Sequence, residues 1–153
     1  MQANGRYARI AAAHSSERLF YADMRHKIPY ITAFVTYIAA VLVLCLMKTD
    51  GIQTPDTYIF GLALDKVAHV IMFMPFPILG FLVFHERNHR RSQDFVILTM
   101  LAVMGTGLAF ATEHLQSMTE YRSSDIYDSV ADMAGLAVGC ISVLIYIIFR
   151  KQD

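Results

Sequence analysis

Four long apolar segments constrain the fold of this chain more than any other feature of its sequence. Residues 28–47, 67–85, 95–112 and 133–149 contain no Asp, Glu, Lys or Arg. About 20 apolar residues, each rising about 1.5 Å, cross a hydrocarbon layer of about 30 Å as a helix. The chain is also more hydrophobic, at 56%, than typical soluble domains. We therefore predict an all-α, polytopic membrane protein.

The predicted architecture is a four-transmembrane-helix bundle that occupies residues 28–150. Its spans cover about residues 28–47, 67–85, 95–112 and 129–149. Residues 1–27 are predicted to form a cytoplasmic N-terminal tail or an interfacial helix. Pro75 and Pro77 lie inside the second span, where each removes a backbone donor and crowds the preceding turn. We expect a kink or a break near Met74.

The orientation of the bundle is predicted from Lys and Arg, which membrane proteins concentrate in cytoplasmic loops. Ten of the thirteen Lys and Arg residues lie before residue 28, between residues 86 and 92, or after residue 149. Both termini are therefore predicted to be cytoplasmic. His85 and His89 flank the basic loop, which is expected to face lipid phosphates.

Charge and cysteine content predict neither nucleic-acid binding nor a disulfide. The net charge is zero, which gives no electrostatic basis for binding nucleic acid. Cys45 and Cys140 both lie within apolar segments. Buried thiols are therefore favoured over a disulfide.

Three separate stretches of the chain bring polar side chains to the predicted outer ends of the spans. Charge next to lipid is costly and is usually functional. We therefore treat these residues as one candidate cluster. Its members are Asp65, Lys66, His69, Glu113, Gln116, Arg122, Asp125, Asp128 and Asp132.

Helical spacing orders these residues. Asp65 and His69 are four residues apart and share a helix face. Asp125, Asp128 and Asp132 step by three and then four residues, which predicts one acidic stripe.

The acidic stripe continues along the same helix as small residues. Ala131, Gly135 and Gly139 form a ridge that lets helix backbones approach closely in lipid. Gly105 and Ala109 on the third span could face this ridge, and so could Ala63 or Ala68 near the second span. We expect ordinary close packing there rather than contact with a ligand.

The residue types in the cluster predict a site for the anionic headgroup of a membrane lipid, with acid–base chemistry as an added option. A divalent cation is the candidate cofactor, with His69, Glu113, Asp128 and Asp132 as its candidate ligands. The candidate catalytic residues are Asp65, His69, Glu113 and Asp128. The candidate headgroup-binding residues are Lys66, Gln116, Arg122, Asp125 and Asp132.

A non-catalytic alternative stays open. The same groups could form an ion-pair network that fixes helix ends, with Asp65 or Asp128 pairing with Arg122, and Lys66 pairing with Glu113. The protein would then be a membrane accessory or transport component whose cluster is structural or contacts a partner.

Three motifs resemble the VanZ-like family of small bacterial membrane proteins. The segment LDKVAHVIMF, residues 64–73, is similar to the family's Asp-Lys-x-x-His segment, and Glu113-x-x-Gln116 is similar to its Glu-x-x-Gln. The run from Arg122 to Gly139 is similar to its Arg-x-x-Asp-x-x-Asp-x-x-x-Asn-x-x-Gly-x-x-x-Gly. This chain has Asp132 where the family usually has Asn, and Phe73 where it often has Tyr.

The resemblance implies a multi-pass protein of the bacterial cytoplasmic membrane that is associated with the cell envelope. The family takes its name from a protein linked to low-level teicoplanin resistance. A lipid-linked envelope precursor therefore joins membrane lipid as a candidate ligand, and a link to glycopeptide resistance is an expectation. The family supplies no reaction, so both functional hypotheses remain.

Overall fold

The computed structural model describes residues 3–46, 58–59, 62–118 and 126–151. Helices make up nearly all of this part of the chain. Two short strands pair antiparallel, with Tyr58 opposite Ala63 and Ile59 opposite Leu62. The elements are α1 (Ala3–Leu46), β1 (Tyr58–Ile59), β2 (Leu62–Ala63), α2 (Leu64–Phe73), α3 (Pro75–Phe84), α4 (Arg91–Ser117) and α5 (Ile126–Phe149).

Four stretches of helix are long and apolar enough to cross a membrane. They are Met24–Cys45, Leu64–Phe84, Arg91–Ser117 and Tyr127–Phe149. The predicted all-α fold with four membrane spans is therefore confirmed. Helix α1 begins well before the first span, at Ala3, so the N-terminal segment continues into that span without a break. Its predicted role at the membrane surface stays a prediction.

The second span is broken in the way that its prolines predict. Helix α2 ends at Phe73, Met74 lies in a turn, and α3 starts at Pro75. The backbone amide of Met74 still donates to the carbonyl of Val70, so the two halves remain connected. A break in lipid exposes backbone carbonyls that need new donors. The hydroxyl of Tyr37 on α1 donates to the carbonyl of Met72 over 2.5 Å.

Helix α5 is the centre of the bundle and packs against α2, α3 and α4. Its small-residue ridge lies directly against the broken second span. A β-carbon at Gly135 would overlap the carbonyl oxygen of Val70, and one at Gly139 would overlap that of Met74. Gly105 on α4 packs against the side chain of Leu136, the residue after Gly135, and Ala68 is exposed. The ridge therefore sets the close approach of α2 to α5.

Cross-helix contacts define the two ends of the bundle. At one end, Lys27 binds Glu86 and Arg150 binds Asp94, which brings together the starts of the first and third spans and the ends of the second and fourth. At the other end, Gln116 donates to the carbonyl of Cys45. The N-terminal end of the first span and the C-terminal end of the last therefore lie on one side. That this side is cytoplasmic remains a prediction.

The two thiols lie in helices, as predicted. Cys45 is buried and Cys140 is half-buried, and they form no disulfide. Many large apolar side chains on the outer surface are exposed, among them Val35, Val103 and Val138. Exposed apolar area of this extent is unusual for a soluble monomer and fits a surface that contacts lipid.

Candidate functional site

The polar cluster is built at the interface between α2 and α5. Its core consists of Lys66, His69, Asp128 and Asp132, which we call the His69 cluster. Lys66 and His69 are three residues apart on α2, and the two aspartates are four apart on α5, so each pair lies on one helix face. Because the glycine ridge brings the helices together, even short aspartate side chains reach across.

His69 and Asp132 form the deepest contact of the His69 cluster. The Nδ1 atom of His69 lies 2.8 Å from Oδ1 of Asp132, and both residues are buried. An ionised carboxylate only accepts hydrogen bonds, so Nδ1 is the donor of this hydrogen bond when Asp132 is ionised. The Nε2 atom of His69 lies 3.8 Å from Oδ2 of Asp128. This arrangement fixes the orientation of the ring, as in carboxylate–histidine pairs of hydrolytic sites.

Lys66 neutralises the outer part of the cluster. Its ammonium contacts the carboxylate of Asp128 and lies 3.4 Å from Oδ2 of Asp65. Asp128 is buried, whereas about half of the Asp65 side chain is exposed. A buried carboxylate without a cation would be strongly destabilising near lipid. Lys66 therefore has a structural role whatever else the site does.

A cavity of about 590 Å³ adjoins the His69 cluster between α1 and α2. Most of its lining is apolar, with Val41, Leu44 and Met72 among the contributing residues. Polar side chains reach it at Asp65, His69, Gln116 and Tyr37. The cavity is therefore amphipathic.

The predicted residues of α4 reach this region to different extents. Gln116 is buried, lines the cavity and donates from Nε2 to the carbonyl of Cys45 over 3.0 Å. Glu113 is half-buried and lies one turn before Gln116 on the same helix. Arg122 and Asp125 lie outside the described residues, so their predicted roles in headgroup binding remain predictions.

The observed contacts differ from the predicted ones for His69 and for Lys66, which was expected to pair with Glu113 and contacts Asp128 and Asp65. The sequence grouped Asp65 with His69 as an acid–base pair, whereas the structure pairs His69 with Asp132 and Asp65 with Lys66. Both Asp65 and His69 still line the cavity. Helical spacing alone identifies residues on one face, but the rotation of α5 decides which of them meets a partner.

The candidate metal ligands near His69 do not form a compact ligand set. Within the described part of the chain, one group of three or more His, Cys, Asp or Glu residues has ligand atoms within 4.8 Å of one another. It consists of His85, His89 and Asp94, at the opposite end of the bundle. A divalent cation at the His69 cluster therefore stays a prediction.

Sequence reasoning missed a second buried polar cluster, formed by His85, His89, Asp94 and Arg150, which we call the Asp94 cluster. Asp94 is completely buried. One of its oxygens lies 2.9 Å from Nδ1 of His85, and the other lies 3.2 Å from Nη2 of Arg150. The signal in the sequence was an acidic residue directly before an uncharged span, in a loop otherwise rich in Arg. The expectation that the basic loop flanked by the two histidines faces lipid phosphates stays a prediction.

Four apolar spans around a buried set of ionisable residues define a polytopic α-helical membrane protein with a buried polar cluster. The sequence profile of the VanZ/LLP1 family matches residues 32–150, which cover most of the first span, the other three spans and both polar clusters. The chain therefore belongs to the VanZ/LLP1 family, as its motifs predicted.

Comparison with other proteins adds little about function. An uncharacterized protein of Schizosaccharomyces pombe is 30% identical over 88 residues, which are 58% of this chain and 49% of that protein. This chain thus spans about half the length of that relative. No solved structure matches the chain.

Proposed function

We propose that the His69 cluster and its adjoining cavity bind a membrane lipid or a lipid-linked precursor by its headgroup. The observation that supports this is the amphipathic lining of the cavity. Asp65, His69 and Gln116 supply polar contacts, while Val41 and Leu44 supply apolar ones. Ligand cavities usually combine an apolar lining with a few converging polar groups. A cavity in a membrane helix bundle with this division fits a ligand that is itself part polar and part apolar.

The charge of the site restricts the headgroup. Among Asp65, Lys66, His69, Asp128 and Asp132, three carboxylates oppose one ammonium, and His69 adds at most one more positive charge. A phosphate would therefore need a further cation, either Arg122 or a divalent ion. A hydroxyl or amine on the headgroup would be favoured by the carboxylates directly.

Any chemical step would depend on His69. Asp132 holds the ring through Nδ1, and the ring lines the cavity. A histidine fixed in this way is suited to accept a proton from a hydroxyl group of a bound ligand. The proposal of modification rests on this geometry and is secondary to binding.

The non-catalytic alternative is favoured by a different observation, the mutual pairing of the buried charges. Lys66 with Asp128 and His69 with Asp132 each join α2 to α5, so the cluster also fastens these two helices. A protein that acts only as an accessory or transport component needs no more than this. Association with the bacterial envelope and with teicoplanin resistance is proposed on family grounds alone.

Blocking the cavity tests binding without touching the ion pairs. Ala68 lines the cavity and is exposed, so Ala68→Trp should fill the space while leaving the His69 cluster intact. Ala137→Trp, on the exposed face of α5, is the matched control. Native mass spectrometry of the purified protein should show copurified lipid in the wild type and in Ala137→Trp, and less of it in Ala68→Trp. Equal lipid in all three would refute the proposal.

A second pair of measurements separates the two functions. His69→Gln removes acid–base chemistry but keeps a donor and an acceptor near Asp132. If the cluster binds or modifies a headgroup, this variant retains less lipid or loses the effect of the protein on the cell envelope, while its melting temperature in detergent is unchanged. If the cluster is structural, the melting temperature falls and lipid retention falls only with it.

A further inference from the structure

The end of the bundle that contains the Asp94 cluster has a basic cavity of about 640 Å³. Its lining includes Arg87, Arg90, Arg150 and Lys151, together with His85. We propose that this cavity binds the phosphate of an anionic phospholipid in the leaflet at this end of the bundle. This site is separate from the His69 cluster, which lies at the other end.

An apolar groove continues from the basic cavity into the bundle surface. It has a volume of about 210 Å³ and lies between α3 and α5, where Phe81, Leu82 and Val143 contribute to it. His85 and Tyr146 line both the groove and the basic cavity. A polar, positively charged space that opens into an apolar groove matches a phospholipid, whose phosphate and acyl chain are joined in the same way.

Arg150 is held in place at the base of the cavity. Its Nη2 atom donates to the carbonyl of His89 and lies 3.2 Å from the buried carboxylate of Asp94. Its Nη1 atom lies 2.9 Å from Nε2 of His85, and its own carbonyl accepts from Arg91. A guanidinium fixed by three neighbours loses little conformational freedom when an anion arrives. Arg87, Arg90 and Lys151 are exposed around it and add positive charge at the rim.

The competing ligand is a metal ion, because His85, His89 and Asp94 place ligand atoms within 4.8 Å of one another. Two observations count against it. The guanidinium of Arg150 already lies beside both Asp94 and His85, and a second cation there would be repelled. The His85 Nδ1 atom is also engaged with Asp94 at 2.9 Å, so that a metal would have to replace this contact. The surrounding charge therefore favours an anion.

The test uses the full chain in detergent micelles at about 150 mM salt, where diffuse attraction is screened beyond about 8 Å. Dioleoylphosphatidylglycerol, dioleoylphosphatidylcholine and sodium phosphate are added separately. Binding is followed by native mass spectrometry and by the melting temperature. Arg87→Gln tests the basic cavity, and Arg25→Gln is its control because it changes the charge equally. Ser142→Phe fills the apolar groove, and Ile141→Phe is its control. Arg25 and Ile141 are exposed and line neither space.

We expect phosphatidylglycerol to bind and phosphatidylcholine to bind more weakly. Arg87→Gln should weaken phosphatidylglycerol binding about tenfold, as expected for one lost charge-assisted hydrogen bond, and Arg25→Gln less than about twofold. Ser142→Phe should weaken it and Ile141→Phe should not. Equal losses in Arg87→Gln and Arg25→Gln would overturn the proposal. So would binding of free phosphate without a lipid preference, or stabilisation by Zn²⁺ that is abolished in His89→Gln.

Discussion

Gly135 on α5 lies directly against the carbonyl oxygen of Val70 on α2, with no room for a β-carbon between them. This contact comes one turn after Asp132, and Asp132 in turn contacts His69, the residue before Val70. Close backbone packing and the buried polar cluster are thus consecutive parts of one interface. The separation of the two helices determines whether the short side chain of Asp132 reaches the imidazole.

We expect Gly135→Ala to destabilise the protein by about 1–3 kcal/mol, since a β-carbon must push the α2 backbone away. The matched control is Gly107→Ala on α4, where an added β-carbon meets nothing within 4 Å. That substitution should be neutral or stabilising by up to about 1 kcal/mol, because Ala favours helix over Gly. Melting temperatures in detergent compare the two. Equal effects would show that the α2–α5 approach is not tight.

Two substitutions of nearly equal size at Asp132 test what His69 requires from its partner. Asp132→Asn keeps an oxygen that accepts from Nδ1 of His69, so the free energy of unfolding should change by less than about 1 kcal/mol. Asp132→Leu leaves the buried Nδ1 donor without this acceptor and should cost about 1–3 kcal/mol. If Asn proves as damaging as Leu, the negative charge itself is needed, and His69 is an imidazolium paired with Asp132.

The spans and the broken helix were predictable because they depend on local properties of the sequence. Hydrophobic length determines a membrane span, and Pro75 and Pro77 interrupt a helix wherever it packs. The approach of His69 to the acidic stripe was also predictable, since spacing places Asp128 and Asp132 on one face. These predictions needed no knowledge of how the helices are rotated relative to one another.

The pairing of individual charges could not be predicted, because it depends on how the helices are rotated relative to one another. The rotation of α5 about its axis determines that Lys66 contacts Asp128 and that His69 contacts Asp132. The spacing of residues along the sequence gives no information about this rotation. The Asp94 cluster was missed because its members are far apart in the sequence. His85, His89 and Asp94 lie around the loop between α3 and α4, whereas Arg150 lies after α5. Arg150 follows the last span and reaches Asp94 only once α4 and α5 lie side by side.

Arg150→Met should be strongly destabilising, because it leaves the carboxylate of Asp94 buried without its cation. Removal of one partner of a buried ion pair costs about 3–5 kcal/mol. The double variant Asp94→Asn/Arg150→Met should recover part of this loss, since the uncompensated charge is gone. Lys151→Met, at the exposed neighbouring position, is the control and should change stability little. Additive losses in the double variant would show that Asp94 and Arg150 are not coupled.

The contact between Glu86 and Lys27, at the same end of the bundle, predicts that the stability of the folded protein depends on pH. The hydrogen bond from Lys27, at 2.9 Å, together with the charge of its ammonium, lowers the pKa of the Glu86 carboxyl below its ordinary value of 4.5. Because the folded-state pKa is the lower one, the stabilisation is present above about pH 4.5 and is lost as the pH falls through the folded-state pKa. Glu86 is exposed, so we expect at most about 1 kcal/mol.

The measurement is the difference in melting temperature between the wild type and Glu86→Gln, followed from pH 7 to pH 3. The wild type should be the more stable at pH 7, and the difference should shrink towards zero in acid as its carboxyl becomes neutral like the amide. High salt should also reduce the difference at pH 7, because an exposed ion pair is screened. A difference that is constant with pH, or that grows in acid, would show that the contact between Lys27 and Glu86 does not stabilise the folded protein.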